Sequence, residues 1–275
     1  MFVFPLGGQS LIQKSITISA IQTDWNLITD GFGGVAPAIR TNLTLTIDAG
    51  IDLISSSNAI AALDLTGLPT DSVITLINNG NIFGVGGDGG DGETTSVELE
   101  PPCFTIPSGR QSGQTGGPAI VYDGTNVDLN ITNASGRIWS GGGGGGGGAD
   151  CFKTSNCAAN GGGGGGGGAG GSTVSGFGAA GAKGTSNNGN DGVAGTAGTG
   201  DTGGSGGSGG AGGTSASCTA GAGGAGGNFG SAGSAGGAGG SSGGSAGLAV
   251  DKNGTGTTTF VTGGVQGVDL IGVAQ

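Results

Sequence analysis

Side chains able to do chemistry are few in this chain. It carries four cysteines (Cys103, Cys151, Cys157 and Cys218), eighteen Asp and Glu against seven Lys and Arg, and no histidine, for a formal net charge of −11. Without histidine the usual general base and the commonest metal ligand are both missing. No Ser-His-Asp, Cys-His or paired-carboxylate arrangement can be picked out, nor a GxxxxGK[ST] phosphate loop. An enzyme is therefore not expected, and no catalytic residue, cofactor or metal site is assigned. Scattered cations in an acidic chain also argue against nucleic acid, because neutralising phosphates takes clustered Lys and Arg. The nearest thing to a metal motif is GVGGDGGDGE at 84–93, where Asp88 and Asp91 stand three apart. On a helix of three residues per turn they share one face and could hold an ion, but calcium motifs of this kind work in tandem arrays and this is one degenerate copy. Cys151 and Cys157 enclose FKTSN and could close a local disulfide, with Cys103 pairing Cys218. Four cysteines allow three connectivities, and free thiols remain an open alternative.

The elements that must position these residues are made largely of glycine, 75 of the 275 residues. Two unbroken runs of eight (141–148 and 161–168) precede a long tract of GGx and Gxx triplets. Low apolar content ordinarily means disorder or a flexible linker. A linker, however, needs no strict triplet phase and no octaglycine. A period of three is that of the polyproline-II helix, which rises ~3.1 Å per residue and has no internal hydrogen bonds. Its N–H and C=O groups point outward and can be satisfied by neighbouring helices, provided no side chain holds the backbones apart. A helix surrounded on all sides must be all glycine, whereas one with a solvent face admits Ser, Ala or Thr at one position in three. Collagen fits poorly, since all seven prolines lie at or before Pro118.

Around the glycine tracts the chain reads as β. KSITISAI (14–21) and LTLTIDAGIDLI (43–54) alternate apolar and polar residues between turn signals, and Trp25, Leu27, Phe32 and Ile39 are expected in a core. SVITLINNGNIFGVGG (72–87) recurs as VDLNITNASGRIWSGG (127–142), with Asn78, Gly80 and Ile82-Phe83 answering Asn133, Gly136 and Ile138-Trp139. This repeat implies a shared β-platform from which glycine helices depart. The expected fold is thus mostly irregular and β, without substantial α-helix. It divides into a β-rich domain at 1–72, a polyglycine-II sandwich at 73–247, and terminal strands at 248–275 that close the platform. No apolar stretch approaches the ~20 residues of a membrane span. MFVFPLGGQS at the start lacks a basic region and an adequate apolar one, so no signal peptide is expected.

If glycine legs leave the platform and return alternately, five segments fall at the far end: 93–112, 149–160, 185–188, 214–220 and 241–242. All four cysteines lie in this set. So do the side chains best suited to binding: Phe104, Arg110, Gln111, Phe152, Lys153, Thr154, Asn156, Asn187, Asn188, Ser215 and Thr219. Aromatics flanked by amides and hydroxyls suit stacking on sugars or contact with protein loops, although each could equally be plain solvated loop.

The I-x-N-x-G-x-I pattern before glycine runs, the GGPAI lead-in (116–120) and the polar inserts resemble bacteriophage tail-fibre adhesins, the T-even-type receptor-binding proteins of long tail fibre tips. The resemblance covers about 72–272; residues before it resemble the family's fibre-attachment domain only in position and β character. It implies a polyglycine-II sandwich whose loops recognise the bacterial surface. It further implies a virion protein made in the host cytoplasm. The N-terminal domain would dock on a tail-fibre or tail-tip protein, and the receptor would be a host glycan or outer-membrane protein. Trimer and single tip subunit both stay open. A glycine-helix ice-binding protein would instead need a flat, regular Thr/Ala face, and a purely structural fibre would need more uniform repeats.

Overall fold

The computed structural model describes residues 11–98, 104–133, 135–153, 158–160, 162–169, 177–185, 191–199, 202, 219–237, 239–262, 270–271 and 273–274. Short strands succeed one another in groups of three. The first group is β1 (Ile12–Ile18), β2 (Gln22–Thr23) and β3 (Trp25–Asn26); the second is β4 (Thr41–Ile47), β5 (Asp52–Ile54) and β6 (Leu63–Asp64). Next come β7 (Val73–Asn78) and β8 (Asn81–Phe83), a glycine excursion holding the hairpin β9 (Thr94–Glu98) and β10 (Phe104–Ser108), and then β11 (Ile120–Gly124). β12 (Asp128–Thr132) and β13 (Arg137–Trp139) precede a second excursion with β14 (Cys151–Lys153) and β15 (Ala158–Asn160), which ends at β16 (Leu248–Gly254). The last group is β17 (Thr258–Thr262), β18 (Leu270–Ile271) and β19 (Val273–Ala274).

Each group is one coil of a three-sided parallel β-solenoid. The first strands stack as β1-β4-β7-β12-β17, the second as β18-β13-β8-β5-β2 and the third as β19-β16-β11-β6-β3. Alternation of apolar and polar residues turns one side of each strand inward. Leu43, Ile74 and Leu129 stack in register, as do Leu45, Leu76 and Ile131, and all six are fully buried or nearly so. One core cluster runs from Ile18 to Val250. The boundary expected at residue 72 therefore lies between two coils of one solenoid, where β4 pairs with β7 from Asn42↔Val73 to Ile47↔Asn78. Trp25 and Leu27 belong to the core and Phe32 packs partly against it, but Ile39 is 38% exposed. Ile39 sits in the connector before β4, where no strand turns it inward.

The recurring N-x-G signal marks one corner of the solenoid. The buried Asn78 side chain donates to the Asn133 Oδ1 of the next coil at 2.7 Å, and Asn133 Nδ2 donates to Gly136 O at 3.0 Å. Gly80 and Gly136 occupy the bend after these asparagines. A Cβ at Gly80 would strike the Ile51 carbonyl, and one at Gly136 the Gly80 carbonyl, so the coils close up only because both residues are glycine.

The two excursions form a lattice of glycine legs joined by backbone hydrogen bonds. All eight N–H groups of 141–148 donate to other legs, and all eight carbonyls accept from other legs. Donors at 141, 144 and 147 reach the 111–117 leg; those at 142, 145 and 148 reach 162–169; those at 143 and 146 reach 231–237. Acceptors follow the same period of three toward the legs 84–93, 221–228 and 241–247. Six legs thus surround one, with a period of three along each contact. Registers that run together or oppose one another give the directions. Among the described legs, 84–93, 141–149, 178–185 and 231–237 leave the solenoid, while 111–117, 162–169, 192–199, 221–228 and 241–247 return. A Cβ on any glycine of the central run would overlap a carbonyl oxygen of a neighbouring leg.

Where the lattice meets the solenoid, an aromatic cluster fills the joint. Phe83 and Trp139, the last residues of β8 and β13, pack with Phe229 from the turn between two distant legs, at centroid separations of 5.7 Å and 4.9 Å from Phe229. Ala169 completes the cluster, and the Arg137 guanidinium lies 4.7 Å over the Trp139 ring.

Two predictions follow from these contacts. Gly145→Ala should destabilise the protein by about 3 kcal/mol or more, because a rigid backbone must move to admit the methyl. Gly237→Ala, whose Cβ would meet nothing closer than 3.5 Å, should leave thermal stability unchanged; calorimetry on both checks the contrast. The second concerns Tyr122, the lone tyrosine of the chain, fully buried and hydrogen-bonded to Thr258 Oγ1 at 2.7 Å. Burial pushes its phenol above the ordinary 10.0, with Asp128 adding to the rise and the Thr258 bond opposing it. The fold thus favours the protonated phenol. The stability this contributes is whole below the ordinary value and is lost as pH rises through the raised one. Phenolate absorbance should appear at higher pH in native than in denatured protein, with melting temperature falling over that interval.

Candidate functional site

The far end of the lattice is built from the ends of legs. Residues 93–94 finish one outgoing leg and lead into the β9–β10 hairpin; residue 149 finishes another and leads into the β14–β15 hairpin. The two hairpins are antiparallel, and β15 lies alongside β9.

A single buried carboxylate ties this end together. Glu93, 9% exposed, accepts from the Asp150 N–H at 3.0 Å and pairs with Arg110 Nη1 at 3.6 Å. Arg110 Nη1 also donates to Gly239 O at 2.9 Å. Glu93 belongs to the lattice as well, its own N–H donating to Gly148 O. The starts of both hairpins, the return at Arg110 and the turn near Gly239 are thereby held in one arrangement.

A second device fixes the 178–185 leg. Asp88 Oδ1 accepts from the Ala179 N–H and Asp91 Oδ1 from the Ala182 N–H, each at 2.7 Å, and Thr94 Oγ1 accepts from Thr185 N–H at 3.2 Å. The three side chains share one face, as a spacing of three requires. Their oxygens bind neighbouring backbone, and no group of three metal-ligating side chains occurs among the described residues. The polar residues of GVGGDGGDG thus extend the lattice at a leg's open side.

Of the residues singled out in the sequence, Phe104 lies on β10, and Phe152 and Lys153 on β14, one in each distal hairpin. Arg110 is turned to internal bonds, while Gln111 is exposed with its backbone in the lattice, its N–H donating to Asp91 O and its carbonyl accepting from Gly147. Thr219 is exposed just before the returning 221–228 leg. Thr154, Asn156, Asn187, Asn188 and Ser215 lie outside the described residues, as do Cys103, Cys157 and Cys218. Cys151 is disulfide-bonded. Lys183 pairs with Asp191 at 3.0 Å, so Lys183, like Arg110, has an anionic partner. Sequence reading missed Glu93 as the hub. Its signal was a carboxylate at the lattice phase of Gly84, Gly87 and Gly90.

A presenting scaffold is the class this arrangement defines: a solenoid base, a glycine lattice and two hairpins lying together at one end. A family model described as phage tail fibre adhesin Gp38 matches residues 13–270, and the chain belongs to that family. It is accordingly a virion-associated protein with a receptor-binding role, in a family of adhesins rather than enzymes. Neither curated proteins nor solved structures yielded a match to this chain.

Glu93→Ala should cost about 1–3 kcal/mol, since it strips a buried N–H and a guanidinium of their acceptor. Hydrogen exchange should rise first in 94–98 and 151–153, with the solenoid strands unaffected; uniform loosening would contradict a local hub.

Proposed function

We propose that the far-end loops are the surface that recognises the bacterial host, with Phe104, Phe152 and Lys153 of the hairpins and Gln111 and Thr219 beside them as contacts. By sequence position the proposal extends to Thr154 and Asn156 in 149–160, Asn187 and Asn188 in 185–188 and Ser215 in 214–220, with the cysteines (Cys103, Cys151, Cys157, Cys218) as braces. The observation that carries this reading is the Glu93 hub, which holds two hairpins of aromatic and amide-bearing sequence side by side on a rigid base. Loops fixed by a scaffold bind without a large ordering cost. The receptor is a surface glycan or an outer-membrane protein, and binding is set by loop chemistry.

At the opposite end the solenoid's first coil is the docking face for a tail-fibre or tail-tip protein. β1 is an edge strand of its sheet, and its inward residues Ile12 and Ile16 are only half-buried. A coil end left uncovered among the described residues is a template for another chain. The described legs satisfy one another within one chain, so the lattice needs no second copy and this docking sets the stoichiometry.

The purified chain should compete with virions for adsorption to host cells. A Phe104→Ala/Phe152→Ala double variant should compete at least about tenfold less well, as expected when central aromatic contacts are lost, with its melting temperature kept. A folded double variant that competes fully would overturn the assignment of the tip.

A further inference from the structure

On the flank, where the 84–93 leg leaves the solenoid, lies a cavity of about 270 Å³ lined by Ser56, Ser57, Asn58, Asp88, Gln114 and Phe177 among others. Phe177 lines it and is 37% exposed, so its ring is open to solvent. Its neighbours in the cavity are held in place by bonds that leave part of their capacity unused. Asp88 commits Oδ1 to the Ala179 N–H and keeps Oδ2. Asn58 Nδ2 donates to Gln114 Oε1 at 2.9 Å and to Thr115 O at 3.2 Å, which leaves Asn58 Oδ1 as acceptor and the Gln114 amide nitrogen as donor. The Ser57 hydroxyl accepts from the Ala59 N–H and retains its proton to give.

The geometry points to a binding site for one uncharged pyranose ring, a neutral hexose or N-acetylhexosamine, distinct from the tip. An aromatic face takes the apolar C–H face of a sugar, and a ring of fixed acceptors and donors takes its hydroxyls. The volume sits just under the ~300–1,000 Å³ of drug-sized pockets, which suits a single ring. No Lys or Arg lines the cavity and Asp88 does, so a phosphorylated or acidic sugar is disfavoured.

The test is saturation-transfer NMR of the full chain with N-acetylglucosamine, glucose and, as acidic comparator, glucose 6-phosphate. Saturable transfer from a neutral sugar is expected, weakened about tenfold or more in Phe177→Ala and in Phe177→Leu, which keeps bulk but removes the ring. The Phe104→Ala/Phe152→Ala tip variant should bind these sugars as the parent does. Absence of transfer from both neutral sugars, equal binding by the Phe177 variants, or loss in the tip variant would each overturn the flank site. None of these results bears on host-cell competition by the tip.

Discussion

Everything in this molecule depends on how closely one backbone can approach another. In the central leg no side chain separates the chains, and each residue gives one hydrogen bond and takes one from its six neighbours. Each net bond is worth about 0.5–1.5 kcal/mol, and fixing a residue's backbone costs about 1–2 kcal/mol, glycine toward the high side. At roughly one bond per residue the bonds do not offset that ordering cost by themselves. One buried N–H left without a partner would cost about 1–3 kcal/mol, so the arrangement is sensitive to any single interruption. It is a structure of complete satisfaction or none.

That shortfall explains the solenoid. Apolar burial, the dominant favourable term in folding, is concentrated in the stacked Leu and Ile of its coils. Both excursions start from strand ends, Phe83 and Trp139, and finish at strand starts, so the first and last residues of each are fixed before any leg need form. Phe229 then draws a distant turn of the tract back to those same ring faces. The hydrophobic part of the chain fixes where the lattice begins, and the lattice fixes where the loops end up.

Much of this was legible in the residues. Octaglycine and strict triplets lead to a leg with no free face, because only complete enclosure removes every Cβ. Asn78-x-Gly80 and Asn133 with Gly136 exposed two coils of the platform. An earlier coil escaped notice because its corner reads Ile47-Asp48-Ala49-Gly50, without the asparagine, although β4 shows the same alternation. Other features have no local signature. The work of Asp88 and Asp91 depends on which leg lies alongside, and Glu93 becomes a hub only once residues 110, 150 and 239 converge. Phe229 left a trace, a large side chain breaking a run of small ones, but its aromatic partners Phe83 and Trp139 are 90 or more residues away.

The donors of a leg address three different neighbours in strict rotation. A leg therefore has a reading frame: loss or gain of one residue would redirect every later N–H to the wrong neighbour, whereas a change of three would keep the phase. The two distal hairpins obey no such rule, because they are antiparallel β pairs that start where a leg ends. Variation in length is thus partitioned along the chain, quantised in the legs and free of that count beyond their ends.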